Sequence, residues 1–191
     1  MADVTPLVLL RHGETGMNRL GRYQGWSDLD LTPRGIRQAR AAGRLLEEAR
    51  IRTGMVWSSD LVRARRTAAL AFPDATVRCD ARLREIDFGA WDGLTWQEAA
   101  ARSPDAHDAW FRDPETVAPP GGETLSEVRS RVMEWFRECM ESAVDGPLVG
   151  VTHGGPLRLL VAHLLGFPPA WKHESQFYFS PGAVMLLDAS P

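Results

Sequence analysis

Two stretches of this chain end in the same way. Leu7-Val8-Leu9-Leu10-Arg11-His12-Gly13 and Leu148-Val149-Gly150-Val151-Thr152-His153-Gly154 are each a short apolar run that stops at His-Gly. A buried strand reads like this when its carboxyl end opens into a site. Glycine after the histidine removes a Cβ, so the chain can turn sharply and the backbone can approach a ligand. In a parallel α/β sheet the carboxyl ends of the strands share one edge, and neighbouring strands would turn both imidazoles into one crevice. Arg11 beside His12 suggests an anionic ligand. Either histidine alone could simply be a polar residue ending a strand; the repeated pattern beside an arginine weighs against that for the pair.

Further side chains converge on the same reading. Arg63 falls in the first turn of a helix that follows a strand, beside backbone N–H groups that already favour an anion; a solvated helix face is its alternative. In Leu83-Arg84-Glu85-Ile86-Asp87-Phe88-Gly89 an extended backbone would put Glu85 and Asp87 on one face and Ile86 and Phe88 on the other. The segment from Gly16 to Asp30 reads as a loop over the mouth of the site and offers Asn18, Arg22, Gln24 and Trp26. Phe88, Trp91, Trp96, Trp110 and Phe111 are rim or core aromatics.

The elements that must position these groups alternate strand with helix. Thr32-Pro33 opens a crossover helix to about Arg50, with Ile36, Ala39, Leu45 and Leu46 inward. Met55–Ser58 is the next strand; Ser59-Asp60 caps a helix through Leu70, and the neighbourhood of Val77 forms a short strand. Thr95-Trp96-Gln97-Glu98 and Thr124-Leu125-Ser126-Glu127 are capping-box patterns that start helices, the second running to about Ala143 with Val128, Val132, Trp135, Phe136 and Met140 on one stripe. Ser103 to Glu123 is a Pro-, Asp- and Gly-rich excursion over the site. Pro156–Leu165 is the last helix, and Gln176–Phe179 and Ala183–Leu187 are two closing strands around Pro181-Gly182. The expected fold is a three-layer α/β/α sandwich with a mainly parallel sheet.

At 191 residues, 44% of them hydrophobic, the chain suits one domain spanning 1–191 with a lid-like excursion at about 88–123. A formal charge of -3 gives no bulk attraction to nucleic acid or anionic membrane, so anion chemistry must be local. The start lacks a basic region and a long apolar run, which makes a cytoplasmic protein the expectation. Cys79 and Cys139 fit no metal spacing and read as free thiols. His107, His163 and His173 lack a partner pattern and read as structural.

The motifs resemble the histidine phosphatase superfamily in its phosphoglycerate-mutase-like branch. Its carriers are Leu10-Arg11-His12-Gly13-Glu14-Thr15, Gln24-Gly25-Trp26 leading to Leu31-Thr32, Ser58-Ser59-Asp60-Leu61 with Arg63 and Thr67, Leu83-Arg84-Glu85 with Phe88-Gly89, Gly121-Gly122-Glu123, and Thr152-His153-Gly154-Gly155. The resemblance implies that His12 is a nucleophile that becomes phosphorylated. It also implies that Arg11, Arg63, Asn18 and His153 hold the phosphoryl oxygens, that Glu85 donates the proton, and that Arg22, Gln24 and Gly25 meet the substrate. A protonated His153 with the two arginines would stabilise the transferring group without a metal or other cofactor.

Phe88-Gly89-Ala90-Trp91-Asp92-Gly93 and a compact lid resemble phosphatases more than mutases. Among phosphatases they resemble α-ribazole phosphatases and broad-specificity enzymes most, with glucosyl-phosphoglycerate phosphatases also similar. The implied activity is metal-independent hydrolysis of a small-molecule phosphomonoester, α-ribazole 5'-phosphate among them, by a monomer or homodimer without nucleic-acid or membrane partners. The alternatives are a phosphoglycerate mutase and a non-catalytic phospho-ligand binding protein on the same fold.

Overall fold

The two apolar runs form neighbouring parallel strands at the centre of one sheet. The computed structural model describes residues 5–141, 146–167 and 176–189. In chain order these give β1 (Thr5–Arg11), α1 (Gly16–Arg19), α2 (Pro33–Glu48), β2 (Met55–Ser58), α3 (Val62–Ala71), β3 (Thr76–Cys79), α4 (Trp96–Arg102), α5 (Pro104–Arg112), α6 (Leu125–Glu141), β4 (Leu148–Thr152), α7 (Gly154–Leu164) and β5 (Val184–Ala189). The sheet order is β3-β2-β4-β1-β5. All pairings are parallel except β5, which runs antiparallel to β1.

Both faces of the sheet are covered, which is why β1 and β4 are apolar throughout rather than alternating. Leu7 and Leu9 pack with Val128, Val132, Trp135 and Phe136 of α6 and with Leu157, Leu160 and Val161 of α7. Val8 and Leu10 face the other way, onto Ala42 and Leu46 of α2 and Ala64, Ala68 and Ala71 of α3. This is the three-layer α/β/α sandwich with a mainly parallel sheet. Gly150 in β4 makes room for an indole, since a Cβ there would lie 2.9 Å from the Trp135 ring.

Several elements differ from the sequence expectation, each for a local reason. Leu45 of α2 is exposed, the inward stripe being Ala39, Ala42 and Leu46. Within the presumed loop, Gly16–Arg19 makes one helical turn closed by a Thr15/Asn18 capping box. Leu61, not Ser59 or Asp60, is the N-cap of α3 and caps nothing by side chain; Asp28 from the loop accepts from Val62 N at 2.6 Å instead. Ser103 to Glu123 contains the helix α5. Gln176–Phe179 is not a strand: the carbonyls of Phe177 and Phe179 accept from the guanidinium groups of Arg158 and Arg11 rather than from a neighbouring strand.

The reading of 83–89 as one extended run also fails. Ala81–Leu83 and Gly89–Trp91 are 3-10 turns that cut the run at both ends, and Glu85 and Asp87 meet different partners, Gly155 N and Gly89 N. Both cysteines are free, Cys79 exposed and Cys139 buried. His107 is buried between Trp91 and Trp96, His163 lies in the last turn of α7, and His173 falls outside the described residues.

Candidate active site

Strand register brings the two histidines together. Arg11 pairs with Thr152 across β1 and β4, and the next residues are His12 and His153. His12 N donates to Thr152 O at 3.0 Å, and the imidazole centroids stand 5.0 Å apart at 58°. The turn after His12 presses against the start of α2: a Cβ on Gly13 would lie 2.4 Å from Gly35 O, so both chains need glycine there. Gly13 N is held by Thr67 Oγ1 at 3.0 Å.

The hydrogen bonds fix the tautomer of each ring. His12 Nδ1 is 2.8 Å from Gly13 O. A carbonyl only accepts, so Nδ1 carries the hydrogen and Nε2 keeps its lone pair. His153 is the reverse: its Nδ1 accepts from Arg63 Nε at 3.2 Å, which puts the hydrogen on Nε2. That N–H is buried and has no partner among the described residues. Burial, then Arg63, then Arg11 hold the His12 pKa well below its ordinary 6.5; burial, Arg63, His12 and Arg11 do the same for His153. The expected protonated His153 is therefore corrected. In the free site it is a neutral N–H donor, because a guanidinium N–H already occupies the lone pair that would take a second proton.

Two guanidinium groups frame the rings. Arg63 is fully buried, and beyond His153 it donates to Ser27 O at 2.9 Å and Gly25 O at 2.7 Å. Three of its five N–H groups are thus committed. Burial pulls its pKa down to about 10, against the raising effect of Glu85, so it stays cationic at neutral pH. Arg11 is bonded to Phe179 O, and its buried Nε has no partner among the described residues. Burial lowers its pKa as well, again opposed by Glu85.

Among the other expected residues, Glu85 reaches the start of α7. Its Oε1 accepts from Gly155 N and from Ile86 N, each at 3.0 Å, and a Cβ on Gly155 would lie 2.3 Å from that oxygen. Asp87 turns to Gly89 N at 2.8 Å. Asn18 uses its amide oxygen to accept from Thr15 N at 3.1 Å, leaving the amide nitrogen as a donor. Gln24 accepts from Thr15 Oγ1 at 2.6 Å, and its buried Nε2 has no partner among the described residues.

Gly25 contributes its carbonyl to Arg63. Arg22 is committed elsewhere, to Glu98 at 2.6 Å and Gly93 O at 2.7 Å. Trp26 N–H bonds Glu85 O, whereas Trp91 and Trp110 are buried in a separate aromatic cluster.

One contributor escapes sequence reasoning. Asp92 accepts from Gly25 N, Ser27 N and Ser27 Oγ, at 3.1, 2.8 and 2.8 Å, and so holds the turn whose carbonyls hold Arg63. The Asp92-Gly93 dipeptide signals a turn, but nothing local names a partner more than sixty residues earlier. A lone-pair nitrogen beside buried N–H donors and two cations suits attack on an oxyanion-bearing centre such as phosphorus. Among the described residues no three His, Cys, Asp or Glu side chains gather into a metal site. No described helix is long and apolar enough to cross a membrane.

Comparison with known proteins bears on this geometry. Residues 7–190 match the model of the Histidine phosphatase superfamily (branch 1). The chain is 42% identical over 168 residues to a 2,3-bisphosphoglycerate-dependent phosphoglycerate mutase of Methylobacterium sp. (strain 4-46), covering 84% of this chain and 80% of the mutase. It is 41% identical over 175 residues to a glucosyl-3-phosphoglycerate phosphatase of Mycolicibacterium vanbaalenii, covering 86% and 76%. Its fold matches the crystal structure of a putative alpha-ribazole-5'-P phosphatase from Escherichia coli with a TM-score of 0.89 at 30% identity, over 97% of this chain and 91% of that one. The chain belongs to branch 1 of the histidine phosphatase superfamily and is an enzyme of the phosphatase type.

Proposed function

We propose that this enzyme hydrolyses a small-molecule phosphomonoester through a phosphohistidine on His12, without a metal. The observation that carries the reading is the tautomer pair: His12 presents a lone pair on Nε2, while the adjacent His153 presents an Nε2–H with no partner among the described residues. In the first step His12 Nε2 attacks phosphorus, the bond from phosphorus to the ester oxygen breaks, and Glu85 gives its proton to the departing alkoxide. In the second, water attacks the phosphohistidine, Glu85 takes a proton from it, and the P–N bond breaks to release phosphate and His12. Arg11, Arg63, His153 N–H and the Asn18 amide hold the phosphoryl oxygens in both steps. Fixed donors in a buried site supply the charge stabilisation that phosphoryl transfer needs.

For the substrate, likeness to the putative α-ribazole-5'-P phosphatase supports α-ribazole 5'-phosphate as the first compound to assay. The relative named as a glucosyl-3-phosphoglycerate phosphatase makes glucosyl-3-phosphoglycerate the second. Mutase activity is the rival reading, favoured by the relative named as a phosphoglycerate mutase. Length does not divide the two, because the phosphatase relative is matched over a smaller share of its length than the mutase.

The test is a single-turnover experiment on the purified protein with a panel of phosphomonoesters and phosphoglycerates, with and without chelator. The expected result is an acid-labile phosphoenzyme that discharges to water as inorganic phosphate, unaffected by chelator. Discharge mainly to a phosphoglycerate would instead assign a mutase.

A further inference from the structure

Glu85 lies in a stretch with no regular structure: residues 84–88, between two 3-10 turns, belong to neither helix nor strand. Within that stretch only Ile86 N reaches the carboxylate, so no ladder of regular structure holds the backbone that carries it. Much of the holding comes from Arg131 on α6, the helix whose inner stripe packs in the core. Its Nη1 donates to Arg82 O at 2.8 Å and Arg84 O at 2.7 Å, and its Nη2 donates to Glu85 O at 2.9 Å and Glu123 Oε2 at 2.8 Å. Its Nε donates to Glu123 Oε1 at 3.0 Å, so all five guanidinium N–H groups are used.

Glu123 extends the grip. Its Oε2 also accepts from Asp87 N at 3.0 Å, and its own N donates to Asp87 O at 2.9 Å. One ion pair therefore fastens the backbone at residues 82, 84, 85 and 87, on both sides of the carboxylate that reaches Gly155. A planar fork that meets several acceptors at fixed angles positions better than a point charge would.

We propose that Arg131, braced by Glu123, is a positioning residue for the acid: it holds Glu85 where its proton meets the leaving oxygen. This rests on the assignment of Glu85 as proton donor above. A misplacement of about 1 Å can cost on the order of 100-fold when geometry sets the rate, and within phosphoenzyme formation only a leaving group that needs the Glu85 proton should suffer it. An alkoxide must be protonated as it departs, whereas p-nitrophenolate leaves unaided.

The experiment measures phosphoenzyme formation in single turnover with glycerol 3-phosphate and with p-nitrophenyl phosphate, for Arg131→Met, Glu85→Gln and the double variant. Arg131→Met is expected to slow the alkyl phosphate roughly 10- to 100-fold and the aryl phosphate less than about 3-fold. In the Glu85→Gln background it should add no further loss for the alkyl phosphate. Should Arg131→Met fail to fold by circular dichroism, Arg131→Lys makes the same comparison, keeping a cation beside Glu123 while giving up the fork.

Equal losses with both substrates, or losses that add to those of Glu85→Gln, would overturn the proposal. Glu85→Gln slowing both substrates equally would remove the acid assignment itself, and the positioning role with it. Selectivity in Glu85→Gln but not in either Arg131 variant would remove the positioning role alone.

Discussion

The sheet edge and the aromatic segment that follows it are built on opposite principles. At the sheet edge, His12, His153, Arg63 and Glu85 are buried polar groups, fixed by one another and by backbone carbonyls and N–H groups. In residues 88–112 the organising contacts are rings. Trp91 and Trp110 meet edge to face at 5.7 Å, Phe88 and Tyr23 pack against them, and Trp91 N–H bonds Ser103 Oγ. The Tyr23 pKa is pushed up to about 12 by burial, and its hydroxyl finds no partner among the described residues. Polar groups that face a charged ligand must be preorganised against the cost of their own burial. A packed aromatic layer has no such requirement and can vary in shape. The difference teaches how each region is held: the edge by directed hydrogen bonds among buried polar groups, the segment by ring packing.

Breaking each region separately sharpens this. His12→Ala should abolish turnover and the acid-labile phosphoenzyme while leaving the thermal unfolding midpoint at or above that of the parent, since it removes a desolvated group held for function; residual turnover would point to another nucleophile. Trp110→Ala is expected to do the reverse. Truncating a buried tryptophan costs about 3–5 kcal/mol, read by denaturant unfolding, with phosphorylation by p-nitrophenyl phosphate changed less than roughly 3-fold. A collapse of that rate would mean that the rings order the catalytic edge.

The pH dependence of stability should also belong to the edge. Both imidazoles have folded pKa values depressed below the ordinary 6.5, so below pH 6.5 the unfolded chain binds more protons than the folded one. Stability is therefore complete above pH 6.5 and falls as pH drops toward the folded values. His12→Ala should flatten that fall by up to about 1.4 kcal/mol per pH unit, the weight of one proton, measured by urea unfolding between pH 5 and 7. The smallest effect is expected at the half-exposed Arg22–Glu98 pair that joins the regions. Arg22→Ala should cost less than about 1 kcal/mol and leave p-nitrophenyl phosphate turnover nearly unchanged.

What could be read from the sequence was local. Arg11, His12 and His153 stand at ends of continuous apolar strands, and Arg63 opens a helix, so the local strand and helix pattern points them to one edge once the sheet is parallel. Thr95 and Glu98 announce α4 because a capping box lies within four residues. The protonation of His153 was misjudged because it depends on Arg63, ninety residues away in sequence. Asp92 and Arg131 were not legible as contributors, since each acts by hydrogen bonds to backbone brought near only by the fold. Glu85 and Asp87 parted company for the same reason: the alternation suggested a strand, but Gly155 N and Gly89 N claimed one carboxylate each.

The order of strands across the sheet has a consequence for how the enzyme is made. β1 lies between β4 and β5, and Leu7 waits for Leu148 and Leu187 as its neighbours. At ~5–20 residues per second on a ribosome, the first strand emerges roughly 7–30 s before either partner exists. Through that interval Leu7-Val8-Leu9-Leu10 is an unpaired apolar ribbon, open to other nascent chains and to chaperones. The grip on Arg11 waits as well, because Phe179, whose carbonyl holds it, follows it by 168 residues. A chain stopped before β4 would therefore hold His12 without the neighbouring strand that places His153 beside it.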